Sequence, residues 1–284
     1  MTIVVTGATG SIGRHLVRQL TDAGADVRAM VRDERAGAAL GCPYAVGDFD
    51  RPETLAAAFA GADRLLLNSA GAIPTTGPQP MVRQQKDALD AASAAGITRV
   101  VKISALGARP GAKLSLGAHA EIEAHLTASD MEWSLLRPTG FMQNFFTGQG
   151  GTTVTGDIVG PYGDGRVAYV DAADVAACAA ALLTGGKGAG EAYTVSGPEA
   201  LTHGEIAALL TAALGRPVAY RDVPAAERAA ELTAQGLPAA FVADLVELWA
   251  EMAAGAQREV TTAVRDLTGR EARTFAAFLR DAAA

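Results

Sequence analysis

The chain has 284 residues, with 24 Lys and Arg against 31 Asp and Glu, for a formal net charge of −7. Hydrophobic residues make up 49% and charged residues 19%, which is typical of a globular chain and excludes a disordered one. The acidic balance argues against nucleic acid as a partner, because proteins that bind phosphate backbones usually present a basic face. The length allows one large domain, or one domain with a small appendage.

The cysteines and histidines do not have the spacing of metal ligands. Cys42 and Cys178 are far apart, and no HxH or HExxH arrangement occurs, so we expect neither a metal site nor a disulfide framework. No apolar stretch reaches the roughly 18 residues that span a bilayer, and the chain opens on a strand without a basic leader. We therefore expect a cytoplasmic protein without a membrane partner, as a monomer or a homodimer.

Short apolar runs alternate with helical patterns through the first half of the chain. Unbroken apolar runs are typical of parallel strands that are covered on both faces. Strands are predicted over Thr2–Thr6, Val27–Val31, Tyr44–Val46, Arg64–Leu67, Val100–Ile103 and Trp133–Leu136. Helices are predicted over Ser11–Ala23, after a cap at Asp50, over Gln79–Ala95 and over Gly117–Ala128. This alternation predicts an α/β fold with a Rossmann-type, doubly wound parallel sheet.

The pattern changes after residue 148, where glycines separate shorter segments. We predict a helix from about Asp174 to Leu183, a strand over Ala192–Val195, and a helix opened by a capping box at Thr202 and Glu205. The domain prediction is therefore a Rossmann domain over 1–148 and a small α+β lobe over 149–284. We expect the second part to return in part to the Rossmann sheet.

An alanine-rich helical region is predicted from Ala225 to Ala254. Its larger apolar side chains fall on one helical face, namely Phe241, Leu245, Leu248, Trp249 and Met252. Packing against the rest of the protein is favoured over a ligand-binding surface as the reason for this face.

A glycine-rich loop joins the first strand to the first helix. Gly7 permits the tight turn, Gly10 the close approach of a pyrophosphate, and Gly13 the close packing of helix on sheet. Free amides and the positive end of the helix dipole favour an anion at this place. We predict cofactor binding by Gly7, Thr9, Gly10, Ser11, Ile12 and Gly13, with a purely structural turn as the alternative.

The residue after the second strand distinguishes the two nicotinamide cofactors. NAD-binding proteins commonly place Asp or Glu there for the ribose 2′-hydroxyl, whereas this chain has Arg32. A guanidinium favours a 2′-phosphate, so NADP(H) is preferred. NAD(H) stays the alternative because Asp33 and Glu34 follow directly.

Further polar residues follow the later strands. Ligands of open α/β sheets bind outside the carboxyl ends of the strands, so these residues are expected to face one crevice. We predict that Asp48, Phe49, Asn68, Ser69 and Ser104 belong to the same cofactor groove.

The Tyr-x-x-x-Lys pair of ordinary short-chain dehydrogenases does not occur in this chain. His119 lies on the corresponding helix, with Glu123 one turn later, and a histidine near its ordinary pKa of about 6.5 can supply a proton. The alternative is a surface histidine paired with Glu123. Lys113, in the loop before this helix, is the weaker catalytic candidate.

Several segments together carry a family resemblance. They are the Gly7–Gly13 loop, His119-x-x-x-Glu123, the stretch Trp133–Asn144, Val167–Ala176, and Leu267–Arg270. The chain resembles the NmrA-like family of atypical short-chain dehydrogenases, and within it the quinone oxidoreductase 2 and azoreductase-like group. The resemblance implies that Pro138 to Phe141 line the nicotinamide end and that Phe141, Met142 and Phe145 line a substrate pocket. A core loop would contain the same residue types.

The resemblance implies an NAD(P)H-dependent oxidoreductase that transfers hydride to a small conjugated acceptor such as a quinone. The oxyanion formed from a quinone is delocalised, so a strong acid is less necessary than for a ketone, which fits the missing dyad. A tailoring reductase of aromatic natural-product biosynthesis belongs to the same enzyme class. The alternative from another class is a regulatory protein that senses NAD(P) without turnover.

Overall fold

The computed structural model describes residues 1–147 and 156–282. Its strands are β1 (Thr2–Val5), β2 (Asp26–Val31), β3 (Tyr44–Val46), β4 (Arg64–Leu67), β5 (Arg99–Ile103), β6 (Glu132–Pro138), β7 (Ile158–Gly160), β8 (Glu191–Val195) and β9 (Tyr220–Asp222). Its helices are α1 (Ser11–Asp22), α2 (Glu34–Ala38), α3 (Leu55–Phe59), α4 (Pro80–Ala94), α5 (Leu114–Thr127), α6 (Asn144–Thr147), α7 (Ala172–Thr184), α8 (His203–Leu214), α9 (Ala225–Ala234), α10 (Ala239–Ala253), α11 (Ala263–Thr268) and α12 (Phe275–Ala282). The predicted boundary between 148 and 149 lies outside the described residues.

Seven strands form one parallel sheet in the order β3-β2-β1-β4-β5-β6-β8. In β1, Ile3 lies opposite Val27 of β2 on one side and Arg64 of β4 on the other. The strand order reverses at β1, which places the ligand crevice of such a sheet outside the carboxyl ends of β1 and β4. The predicted Rossmann-type α/β fold is confirmed.

Both faces of the sheet are covered, which explains why its strands are continuously apolar. Leu65, Leu66 and Leu67 are all fully buried, although successive side chains point to opposite faces. Leu66 packs in a core beneath α1 and α7, and its two neighbours pack in a second core beneath α3, α4 and α5. The sheet therefore holds the strand ends rigidly at the crevice.

The second half of the chain contributes to this sheet and also forms a smaller unit beside it. β8 pairs with β6 at the edge of the sheet, and α7 packs on α1. β7 and β9 form a separate parallel pair, next to a third core that includes Phe145, Ile206 and Phe275. Within the described part of the chain, no helix is both long enough and apolar enough to cross a membrane.

The predicted cap at Asp50 is wrong. Asp50 does not cap a helix, because a 3₁₀ turn over Pro52–Thr54 precedes α3 and Arg51 stands at its start. The Asp50 carboxylate instead accepts hydrogen bonds from Arg83 and Gln84 of α4, both at 2.9 Å.

The region from Ala225 to Ala254 is helical, as predicted, and is divided into two helices, α9 and α10. Gly236 adopts a φ of 91°, and Pro238 lacks the amide that would continue the helix. The predicted capping box holds: Glu205 donates its amide to Thr202 Oγ1 at 3.1 Å and accepts the Thr202 amide at 2.9 Å.

Candidate active site

A cavity of about 550 Å³ runs along the carboxyl ends of the central strands. The sequence-predicted residues in its wall are Gly7, Thr9, Gly10, Ser11, Ile12, Arg32, Asp48, Phe49, Asn68, Ser69, Ser104, His119 and Phe141. Met30, Gly47, Asp50, Gln84, Ile103 and Asn144 also line it and were not selected from the sequence. Residues from five different strand ends thus meet in one crevice.

The N-terminus of α1 opens into this cavity. Gly10 is its N-cap and makes no side-chain bond to the first amides, and the first turn contains no acidic residue. The first amides of a helix have no acceptor within the helix and favour an anion. This uncapped terminus fits a pyrophosphate group.

Two glycines of the loop are required by close contacts. A Cβ on Gly13 would lie 2.2 Å from the carbonyl oxygen of Gly7 and 2.6 Å from the Cα of Ala8. Gly7 has a φ of 62°, which L-residues with side chains rarely adopt. Gly13 does not line the cavity, and it instead allows α1 to pack closely against the Gly7–Ala8 backbone.

The β2 end of the cavity presents a positive charge. Arg32 is exposed at the cavity wall, directly after β2. The carboxylate of Asp33 accepts the Ala36 amide at 2.8 Å and so caps α2. Asp33 is therefore engaged by its own helix, and this arrangement favours a 2′-phosphate over a free 2′-hydroxyl.

Side chains at the ends of β1 and β4 fix the floor of the crevice. The Thr6 hydroxyl donates to the carbonyl oxygens of Leu66 and Asn68, at 2.9 and 2.8 Å, and accepts the Asn68 amide at 2.8 Å. Gln85 of α4 donates to Ser69 Oγ at 2.6 Å. Asn68 and Ser69 thus lie at the cavity because of contacts from two neighbouring elements.

His119 lies in the cavity wall and is buried, with 8% of its surface exposed. Behind it lies Lys102 of β5, which is fully buried. Lys102 Nζ donates to the Ile103 carbonyl oxygen at 2.7 Å and lies 3.2 Å from His119 Nδ1. An ammonium group can only donate, so Nδ1 accepts and the proton of the neutral ring resides on Nε2.

Burial changes the ionisation of both groups. Burial, assisted by the charge of Lys102, lowers the pKa of His119 to about 2. Burial also lowers the pKa of Lys102 to about 7, against the opposing effect of Glu123. The expectation that His119 titrates near 6.5 is therefore wrong, since its ring stays neutral across the physiological range.

Glu123 does not pair with His119, so the alternative of a surface His–Glu pair is wrong as well. Its carboxylate is buried and accepts hydrogen bonds from Arg137 Nε at 3.0 Å and from the Ser104 hydroxyl. Arg137 also forms a second bond to it through its terminal nitrogen. This network joins β5, α5 and β6 beside the Lys102–His119 pair.

Lys113, Met142 and Phe145, like Gly13, do not line the cavity. Lys113 pairs with Asp244 at 3.4 Å and Glu247 at 3.8 Å, both on α10. Met142 and Phe145 are buried in the third core, where Phe145 packs edge-on against Tyr169. The structure therefore corrects these assignments, because the side chains of Met142 and Phe145 belong to the core. Of the three residues predicted to line a substrate pocket, only Phe141 lines the cavity.

Pro138 is buried at the end of β6, where its carbonyl oxygen accepts the Leu106 amide at 2.9 Å, and it does not line the cavity. Lys102 is the functional candidate that sequence analysis missed. The signal for it in the sequence was a lysine inside the apolar strand run Val100–Ile103, because lysine is almost never fully buried unless it is paired.

Among residues 1–147 and 156–282, no cluster of side chains is suited to hold a metal ion.

Comparison with known proteins identifies the family. Residues 7–185 match the NAD(P)H-binding family. The NAD(P)H azoreductase of Xenophilus azovorans is 34% identical over 286 residues, which cover 99% of this chain and 98% of that protein. The NADPH complex of quinone oxidoreductase 2 from Escherichia coli superimposes with a TM-score of 0.83 at 28% identity, over 99% of both chains.

NmrA, a negative transcriptional regulator solved in complex with NADP, superimposes with a TM-score of 0.75 over 99% of this chain and 94% of that chain. At 19% identity, this likeness concerns the fold alone. The chain therefore belongs to the NAD(P)H-binding family, and its resemblance to the NmrA-like atypical short-chain dehydrogenases is confirmed.

Proposed function

We propose that this protein is an NADPH-dependent reductase that acts on small conjugated acceptors of the quinone or azo class. The observation that carries the proposal is the position of the buried His119 in the same cavity as the uncapped N-terminus of α1. The azoreductase and quinone oxidoreductase similarities support this acceptor class.

The cofactor would lie across the carboxyl ends of the strands. The α1 amides would hold its pyrophosphate and Arg32 its 2′-phosphate. Three strand spacings separate the end of β2 from the end of β5, or about 14 Å, so Ser104 and His119 are the residues that would face the nicotinamide. When bound, the reduced nicotinamide supplies the hydride.

The chain's own residues position the acceptor and provide the proton. Phe141 and Ile103 give the reaction end of the cavity an apolar wall, on which a flat conjugated ring can stack. His119 presents an Nε2–H donor, which is a weak acid and suits an anion that is already delocalised. The hydroxyl of Ser104 is bonded to Glu123, so it is not the primary donor.

The proposal is tested by following the oxidation of NADPH and NADH by the purified protein. The acceptor panel contains simple quinones, polycyclic aromatic quinones, azo dyes and a non-conjugated ketone. We expect NADPH oxidation that depends on the conjugated acceptors, and little with the ketone, because the chain lacks the Tyr-x-x-x-Lys dyad. Tight NADPH binding with no turnover of any acceptor would contradict the proposal and support a nucleotide sensor.

A further inference from the structure

We propose that Lys102 is a positioning and proton-supplying residue that acts through His119, so that the two side chains form a relay from β5 to the cavity. This inference rests on the proposed reductase function. It assigns the source of the proton that accompanies hydride transfer, which the cavity lining alone does not identify.

The relay follows from strand and helix periodicity. Lys102 and Ser104 are two residues apart in β5 and its extension, so both side chains point toward α5. His119 and Glu123 are four residues apart and lie on the same face of that helix. The strand therefore contacts the helix through two parallel pairs, Lys102–His119 and Ser104–Glu123.

The two pairs differ in what they can do. Glu123 is neutralised by Arg137 and forms a closed network. Lys102 is fully buried, and its two hydrogen-bond partners within the described residues, the Ile103 carbonyl oxygen and His119 Nδ1, both belong to residues that line the cavity. Of these two groups, only the imidazole ring can take up one proton and release another. A proton that leaves the buried ammonium toward the cavity therefore passes through the imidazole ring.

The acceptor takes a hydride and becomes an anion, and His119 Nε2 gives its proton to that anion. The Nδ1 atom takes a proton from the Lys102 ammonium, so the ring stays neutral in its other tautomer and the lysine becomes an amine. After product leaves, the ring takes a proton from water at Nε2 and returns the Nδ1 proton to Lys102. The net change is that NADPH, acceptor and one proton become NADP⁺ and reduced acceptor.

The relay predicts a specific pH dependence. Lys102 must be protonated to supply the proton, and burial lowers its pKa to about 7, so kcat/KM should fall as the pH rises through that value. Neighbouring strand residues in register with it, Leu67 and Leu135, are apolar. The charged groups that face Lys102 are Glu123 on α5 and Arg137 on β6. Glu123 opposes the decrease in the pKa of Lys102, and Arg137 forms an ion pair with Glu123.

The first test compares Lys102→Met with the wild-type protein. Methionine has a similar length and no charge, and we expect kcat/KM at pH 6 to fall about 100-fold while the pH limb near 7 disappears. Lys86→Met is the matched control, because Lys86 forms only a surface pair with Glu121 at 3.6 Å. The control should keep the pH limb and a rate within about twofold of wild type.

The second test needs neither turnover nor a variant lysine. Nitrogen-15 NMR of the imidazole rings, with His119→Gln used to assign the signals, reports which ring nitrogen carries the proton. We expect His119 to carry it on Nε2 near pH 6 and to form no imidazolium between pH 5 and 8, since burial and Lys102 lower its pKa to about 2. The nitrogen-15 chemical shifts of the His119 ring should change with an apparent pKa of about 7 as Lys102 titrates.

The outcomes separate the relay from the reductase function. Turnover whose pH profile is flat between 6 and 8, or a limb that persists in a folded Lys102→Met variant, overturns the relay and leaves the reductase function standing. Absence of turnover with every acceptor overturns the reductase function, and with it the catalytic role of the relay. A His119 ring that becomes imidazolium near pH 6.5 overturns the Lys102–His119 pairing itself.

Discussion

The two ends of the cavity are built from different chemical groups. At the nucleotide end, formed by the β1–α1 loop and the residue after β2, the groups are backbone amides, glycines and an exposed arginine. At the reaction end, formed by β5, α5 and β6, they are buried ionisable side chains: Lys102, His119 and Glu123. The first end is suited to recognise a ligand by shape and charge, and we propose that the second controls protonation.

The two ends of the cavity also differ in how far apart their residues lie in the sequence. Consecutive residues of the β1–α1 unit produce most of the nucleotide end, and the residue after β2 adds the charge of Arg32. The reaction end requires residues from 102 to 137 to meet through packing of a helix on two strands. A single substitution should therefore affect the first end through backbone fit or through the exposed charge of Arg32, and the second through the balance of its buried charges.

The largest effect is expected for Gly13→Ala, which tests backbone fit. The added Cβ would meet the carbonyl oxygen of Gly7 at 2.2 Å, and neither backbone segment can move without displacing α1. We expect the free energy of unfolding to fall by about 3 kcal/mol and NADPH binding to be lost. Urea unfolding and NADPH titration measure the two effects.

Gly77→Ala is the control for that substitution, because a Cβ there would meet nothing within 4 Å. It should leave stability and NADPH binding nearly unchanged. A Gly13→Ala protein as stable as this control would show that the α1–loop contact is not tightly packed.

A smaller effect is expected for Glu123→Gln, which tests charge balance at the reaction end. The change removes the charge that Arg137 and Ser104 hold in a buried position. We expect a loss of about 2 kcal/mol in the free energy of unfolding. Glu121→Gln, two residues earlier and paired only with Lys86 at the surface, should change it by less than about 0.5 kcal/mol. Equal losses in the two variants would contradict a special role for the buried network.

The smallest effect is expected for Arg32→Ala, which tests charge at the nucleotide end. Arg32 is exposed, so stability should not change, but loss of its guanidinium should weaken NADPH binding about tenfold and leave NADH binding unaffected. Arg35→Ala removes a nearby exposed arginine that does not line the cavity and serves as the control. Equal weakening for both nucleotides would refute the 2′-phosphate assignment.

Sequence analysis identified the fold and the position of the cavity because both depend on local patterns. The glycine spacing located the start of α1, and the apolar runs located the strands of the parallel sheet. It placed His119 correctly at the cavity but assigned its ionisation wrongly, because the pKa depends on burial and on Lys102, which is 17 residues away. Phe145 was misassigned because a buried core side chain and a pocket side chain are chemically the same.

The packing of α7 on α1 and the pairing of β8 with β6 limit how this protein can be recombined. Arg64, at the start of β4, donates to the carbonyl oxygen of Gly185 at 3.1 Å, and Gln19 of α1 donates to that of Ala173 at 3.2 Å. A fragment that ended before α7 would expose one face of the sheet and leave the backbone edge of β6 free to aggregate. Chimeras made to exchange acceptor specificity should therefore keep residues 172–195 together with the first half, and graft only segments outside that range.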